Sequence, residues 1–173
     1  MTVVGITGHR ALADPVAVRA ALDELLVSLT RPPAASYADA PQPAPLGLIP
    51  SPLVGVTALA AGADQLFGDA VLAAGGTLEV IVPSRDYRDT LPADSQGTFD
   101  RLVDAAALVT TLDHDHAGNA AYLAAGLELL DRSDLLVAVW DGEPSRGSGG
   151  TADMVARARS RGLPVRVVRA ARA

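Results

Sequence analysis

Strand-like and helix-like segments alternate along this sequence from end to end, and that alternation limits the fold more than any other feature. Residues 3–7 form a short run rich in β-branched side chains, closed by Gly8. Asp14 and Pro15 make a helix start, a capping carboxylate followed by proline at the first helical position. Val18, Leu22, Leu25, Leu26 and Leu29 then recur at helical spacing. Residues 53–57 read as a second strand. Leu66, Phe67, Ala70, Val71 and Ala74 read as the buried stripe of a helix that Gly75 and Gly76 stop. Strands over 78–82 and 108–111 flank a helix over 96–106. A helix over 119–132 leads into residues 135–140, which are apolar on both faces and are therefore expected in the centre of a sheet. A helix over 151–161, ended by Gly162, and a strand over 164–168 complete the series.

Strands separated by helices pair in parallel, and the helices cover both faces of the sheet. The expected fold is a single Rossmann-like, three-layer α/β domain over residues 1–173, with a mainly parallel sheet of six or seven strands. Residues 31–52 break the pattern. They carry seven of the twelve prolines, at positions 32, 33, 41, 43, 45, 50 and 52, and read as a long loop.

Composition excludes several kinds of chemistry. A chain of 173 residues with 49% apolar and 20% charged residues can bury a core of its own. Cysteine is absent, which removes disulfides, thiolate metal centres and a cysteine nucleophile. All 14 basic residues are arginine, which removes Schiff-base lysine chemistry and a Walker-type phosphate lysine. The net charge of −6 lacks the basic footprint of a nucleic-acid binder. No apolar run approaches the roughly 18 residues of a membrane span, and the first residues carry no signal-peptide pattern. The expectation is a cytoplasmic protein with neither membrane nor nucleic acid as a partner.

In open parallel sheets, ligands bind beyond the carboxyl ends of the strands, where the strand order reverses. Three strand-to-helix turns are rich in small or polar residues. The first contains Gly8, His9 and Arg10. Gly8 allows close backbone approach, and Thr7, His9 and Arg10 offer hydrogen bonds and charge, although a tight solvated turn would have the same composition. The second runs from Ala58 through Gly62 to Asp64. Asp64 is either a helix N-cap or a ligand for a ribose hydroxyl. The third runs from Asp141 to Thr151 and contains Glu143, Arg146, Gly147, Gly149 and Gly150. Its glycines free backbone N–H groups, Thr151 adds a hydroxyl, and the helix start adds positive potential. Together they make an anion site.

Other polar groups have plainer readings. Asp113, His114, Asp115 and His116 match metal ligands in type but not in spacing, so no metal site is expected. Trp140 is either core or a stacking platform, and Tyr87 and Tyr122 are further candidates for stacking. Arg85 or Arg88, after the third strand, could pair a phosphate or sit in a solvated loop.

The segments VVGITGHR, ALAAGADQL and AVWDGEPSRGSGGTADMVARARSRGLPV together resemble the SLOG superfamily, over nearly the whole chain. That group includes the LOG enzymes, DNA-processing protein A, and nucleotide-sensing domains of bacterial defence and signalling proteins. The resemblance implies a Rossmann-like fold whose Gly149, Gly150 and Thr151 hold a nucleotide phosphate. LOG enzymes carry a glutamate three residues after the signature threonine. Here that position is Met154, which cannot act as acid or base. The pattern is therefore closer to the nucleotide-sensing branch. The expected function is binding or sensing of a phosphorylated nucleotide-like molecule, either a nucleoside monophosphate or of ADP-ribose type, with no further cofactor required. The alternative is a LOG-like phosphoribohydrolase that cleaves the N-glycosidic bond with Asp153 or Glu143 as its carboxylate. A homodimer is expected by analogy alone.

Overall fold

A computed structural model of the chain describes residues 1–30, 52–144 and 150–173. The expected proline-rich loop, up to residue 51, lies outside the described residues. The elements follow the order β1 (Thr2–Gly8), α1 (Pro15–Thr30), β2 (Leu53–Thr57), α2 (Ala63–Ala73), β3 (Thr77–Val82), α3 (Tyr87–Thr90), α4 (Ala93–Ala105), β4 (Leu108–Thr111), α5 (Asn119–Arg132), β5 (Leu135–Trp140), α6 (Thr151–Ser160) and β6 (Val165–Arg169). All six strands read from the sequence are present. The four-residue α3 is an addition, and α4 begins directly after Pro92, three residues earlier than helical spacing alone suggests. Proline has no N–H to lose and a preset φ, so it tolerates the edge of a helix. Asp14 does cap α1: its Oδ1 accepts the Ala17 N–H at 2.9 Å.

The sheet has six strands in the order β4-β3-β2-β1-β5-β6, and every pairing is parallel. The chain builds outward from β1 to β4, then crosses back to place β5 on the other side of β1. The strand order reverses at this β1/β5 boundary, which is where a doubly wound sheet opens a crevice.

Two apolar clusters hold the layers. The larger unites Val18, Leu22 and Leu26 of α1 and Phe67, Ala70 and Val71 of α2 with Leu78, Val80, Val137 and Val139 of the sheet. The smaller joins Ala125, Leu129 and Leu130 of α5 and Met154 and Ala158 of α6 with Val56, Ile81 and Leu136. Neighbouring residues of β5 serve opposite clusters, because successive strand side chains point to opposite faces. That confirms its interior position, between β1 and the edge strand β6.

Beyond β6 the chain turns back toward its own first turn. Leu12 and Arg172 form an isolated antiparallel bridge. The Ala13 N–H donates to the Ala171 carbonyl at 3.1 Å, and the Ala173 N–H to the Ala11 carbonyl at 3.2 Å. No helix among the described residues is long and apolar enough to cross a membrane.

Candidate functional site

A cleft of about 480 Å³ opens at the carboxyl ends of β1 and β2, roofed by α5 and the start of α6. Three groups of side chains define it. Thr7, Gly8, His9 and Arg10 come from the first turn, and Ala58, Ala60 and Asp64 from the second. Gly150, Thr151 and Met154 come from α6 and the residue before it. Tyr87, Asn119, Tyr122 and Arg172 close the remaining sides.

The first and second turns are locked together by backbone. The Ala63 N–H donates to the His9 carbonyl at 3.1 Å. Gly62, the N-cap of α2, has φ of 82°, and a Cβ there would collide with the carbonyl oxygens of His9 and Arg10. Only glycine fits such a position, where left-handed φ and close backbone approach coincide. Gly8 is tight for a related reason, since a Cβ on it would run into Ala63 and Val139. These contacts explain why small residues are concentrated in both turns.

Because Gly62 is the N-cap, Asp64 is not. Asp64 lies inside the first turn of α2, and the N-cap reading is corrected on that ground. Its side chain is buried, lines the cleft, and accepts a hydrogen bond from the Thr57 hydroxyl at 3.3 Å. Burial drives its carboxyl up to about 7. Backbone hydrogen bonds at Ala60 and Ala58, the Thr57 hydroxyl and the positive charge of Arg10 pull the other way without cancelling that rise. Arg10 itself is exposed, with its guanidinium 5.2 Å above the Tyr122 ring.

Asp141 occupies the corresponding place after β5 and is held by several donors. Its Oδ1 accepts the Glu143 N–H at 2.9 Å and Arg172 Nη2 at 3.2 Å. Arg172 Nε lies 2.6 Å from Oδ2, an ionic contact without hydrogen-bond alignment. His9 Nε2 lies 3.2 Å from Oδ1 and 3.1 Å from the Asp141 backbone nitrogen. Desolvation would raise this carboxyl. The Glu143 N–H, Arg172 and His9 outweigh it and hold the group down at about 2.

The sequence-predicted residues therefore divide. Gly8, His9, Arg10, Asp64, Gly150 and Thr151 line one cleft. Gly62 and Asp141 stand behind it and fix its walls. Arg146, Gly147 and Gly149 lie outside the described residues. Asp153 and Glu143 are not among the lining residues: Asp153 bonds Arg157 Nε at 3.1 Å one turn along α6, and Glu143 is exposed.

Arg85 and Arg88 do not reach the cleft. Arg85 pairs with Asp113 and Asp115, and Arg88 with Asp100 at 2.6 Å, so carboxylates hold both guanidinium groups. Those pairings also account for two members of the acid–histidine cluster, and among the described residues no group of side chains could hold a metal ion. Tyr87 is buried, edge-on to Phe99 and Tyr122. It is thus a buried wall of the cleft, and Tyr122 is the half-buried aromatic there. Trp140 does not line the cleft. It is half-buried, and its Nε1 donates to the Glu143 carbonyl at 2.8 Å.

Sequence reasoning missed Asn119 and Arg172. Asn119 carries no signal beyond a helix start. Arg172 reaches the cleft only because the segment after β6 folds back, which no local pattern announces.

No family model matches the chain, and no curated protein matches it. Solved structures do. DNA processing protein A from Streptococcus pneumoniae superposes with a TM-score of 0.65 at 16% identity, over 96% of this chain and 50% of that one. The Helicobacter pylori protein of the same name, described for its unique single-stranded DNA binding mode, gives 0.62 at 15% identity over 96% and 64%. TM1055, a structural genomics target, gives 0.56 at 16% identity over 95% and 72%. This chain thus spans half of the pneumococcal protein and under two thirds of the other. At such identities the likeness establishes architecture, and the chain has the Rossmann-like fold seen in DNA processing protein A.

Proposed function

We propose that the cleft binds a phosphorylated, nucleotide-like small molecule. The observation that carries this reading is the convergence on one cleft of a helix start, Gly150–Thr151, an arginine, Arg10, and one buried carboxyl, Asp64. A helix N-terminus with a hydroxyl offers N–H donors and positive potential to a phosphate. Asp64, at the β2 side, suits a neutral hydrogen-bonding group such as a ribose hydroxyl, since an anion there would meet a carboxyl that ionises near neutrality. Tyr122 offers a partly exposed ring face to a base or other flat group.

The test is a binding panel of AMP, NAD and ADP-ribose on the purified chain, with retained ligand and released base both read by chromatography. Retention of intact nucleotide, lost in Gly150→Asp, supports the reading. Unchanged affinity in that variant refutes it. Release of free base would turn the reading to N-glycosidic hydrolysis. Asp64, the carboxyl in the cleft, would then be the first acid to replace, ahead of Asp153 and Glu143.

The neighbour described for single-stranded DNA binding gives nucleic acid a place in the panel, despite the net charge of −6. An oligodeoxythymidine that competes with AMP would favour that reading. Failure to bind at physiological salt would remove it.

A further inference from the structure

Two of the turns that build the cleft belong to opposite ends of the sequence, and one side chain joins them. The backbone of residues 171–173 pairs with residues 11–13, just after His9 and Arg10. From that anchored strand, Arg172 reaches to the turn after β5. Its Nε faces Asp141 Oδ2 at 2.6 Å, and its Nη2 donates to Asp141 Oδ1 at 3.2 Å and to the Pro144 carbonyl at 3.4 Å. Arg169 adds a second hold, donating from Nη1 to the Asp141 carbonyl at 3.2 Å. Gly142, with φ of 93°, leaves room for that guanidinium: a Cβ there would lie 2.9 Å from Arg169 Nη1. The Arg172 side chain is 22% exposed and that of Asp141 19%, so solvent screens the pair only in part.

We propose that Arg172 is a positioning residue: through Asp141 and Pro144 it holds residues 141–144 against the β1–α1 turn, and so sets the place of His9 and Arg10 in the cleft where a phosphate would meet them. The phosphate clause rests on the function proposed above, whereas the clamp itself does not. An arginine suits the task because its planar fork can hold a carboxylate and a carbonyl at once, which a lysine ammonium cannot do with fixed direction. Losing the clamp loosens the anion site without removing any of its donors, and small displacements in such a site are costly.

Trp140 is the single tryptophan of the chain and bonds the Glu143 carbonyl within this turn, so its emission reports the turn directly. The experiment compares the full chain with Arg172→Gln, Arg172→Lys and Asp141→Asn, using AMP and inorganic phosphate as probes. In Arg172→Gln, Trp140 emission of the ligand-free protein is expected to shift to the red and AMP affinity to fall about tenfold. Arg172→Lys should recover only part of either change. Asp141→Asn should reproduce the emission shift, and combining it with Arg172→Gln should add little, because both break one interaction.

If affinity falls while emission is unchanged, Arg172 contacts the ligand directly and the positioning role is overturned. If neither changes, the clamp does nothing. If no variant binds AMP or phosphate but emission still shifts, the clamp stands and the ligand reading fails. Should Arg172→Gln not fold, Asp141→Asn and Arg172→Lys carry the same test.

Discussion

Asp64 and Asp141 follow the two strands that flank β1, one on each side, and the protein treats them in opposite ways. Asp64 sits among alanines and Tyr87 with one hydroxyl and a few backbone contacts, and burial pushes its carboxyl up to about 7. Asp141 is no less a carboxyl, but Arg172, His9 and the Glu143 N–H surround it and hold it near 2. One acid is left able to exchange a proton near neutrality. The other is fixed as an anion that serves only to hold its neighbours. The β2 side of the cleft therefore carries the acid that can titrate near neutrality, and the β5 side the one fixed as an anion.

The sharpest way to break this comparison is acid–base titration of stability. Asp64 has a folded value above its unfolded value of 3.8, so the folded state binds the extra proton between about pH 4 and 7. Its contribution is complete below pH 4 and is lost as pH rises to 7. The slope is about 1.4 kcal/mol per pH unit, or about 4 kcal/mol across the window. Asp64→Asn should flatten that slope in urea unfolding followed by circular dichroism. A slope that survives the substitution assigns the proton elsewhere.

The next largest effect falls on the backbone beneath Asp64. Gly62→Ala places a Cβ against two carbonyl oxygens at a left-handed φ and should cost about 3 kcal/mol in the same unfolding experiment. A near-neutral result would mean the turn can relax, and that its rigidity is not what keeps Asp64 dry.

Asp141 should give a smaller effect in the opposite window. Its folded value lies below its unfolded one, so its stabilisation is full above about pH 4 and disappears as pH falls toward 2. Asp141→Asn should lower the plateau between pH 5 and 7 without changing its slope, and so flatten part of the acid limb of the stability profile. The smallest effect is the control. Arg101 pairs both oxygens of Asp69, at 2.8 and 3.0 Å, on the surface. Arg101→Ala should cost about 0.5 kcal/mol or less and leave Trp140 emission unchanged. A larger loss would show that arginine–aspartate pairs matter in this protein wherever they stand.

Much of this was legible in the sequence, because parallel α/β folds write their layers into the periodicity. The run at 135–140 reads as interior because Leu136 and Val137 must each find an apolar partner, on opposite faces. The first two turns were also legible, as was the place of Gly150 and Thr151, since small residues concentrate where α2 and α6 start beside strand ends. The role of Asp64 was only half legible. Its place after Gly62 looks like a cap, and only the backbone path shows that Gly62 takes that position. Arg85 and Arg88 show what composition hides: a free guanidinium and one already held by Asp113, Asp115 or Asp100 have the same letter. Tyr87 was half legible for the same kind of reason: it does stand at the cleft, but an aromatic in a polar stretch gives no sign that α3 will bury it.

The pairing of β1 with β5 has a consequence for how the protein is made. The Val3 N–H is bonded to a side chain 131 residues further along the chain, and the whole β1/β5 ladder has similar separation. At ordinary rates of translation, β1 leaves the ribosome on the order of ten seconds before β5 does. Until then its β5-facing edge has no partner, and His9 has no Asp141. The nascent chain can assemble β1 to β4 with α1, α2 and α4 while it waits, but the cleft forms only near the end of synthesis. A protein built this way completes its cleft last, and a ribosome stalled before residue 141 would leave β1 to β4 without the strands that close the sheet on the other side of β1.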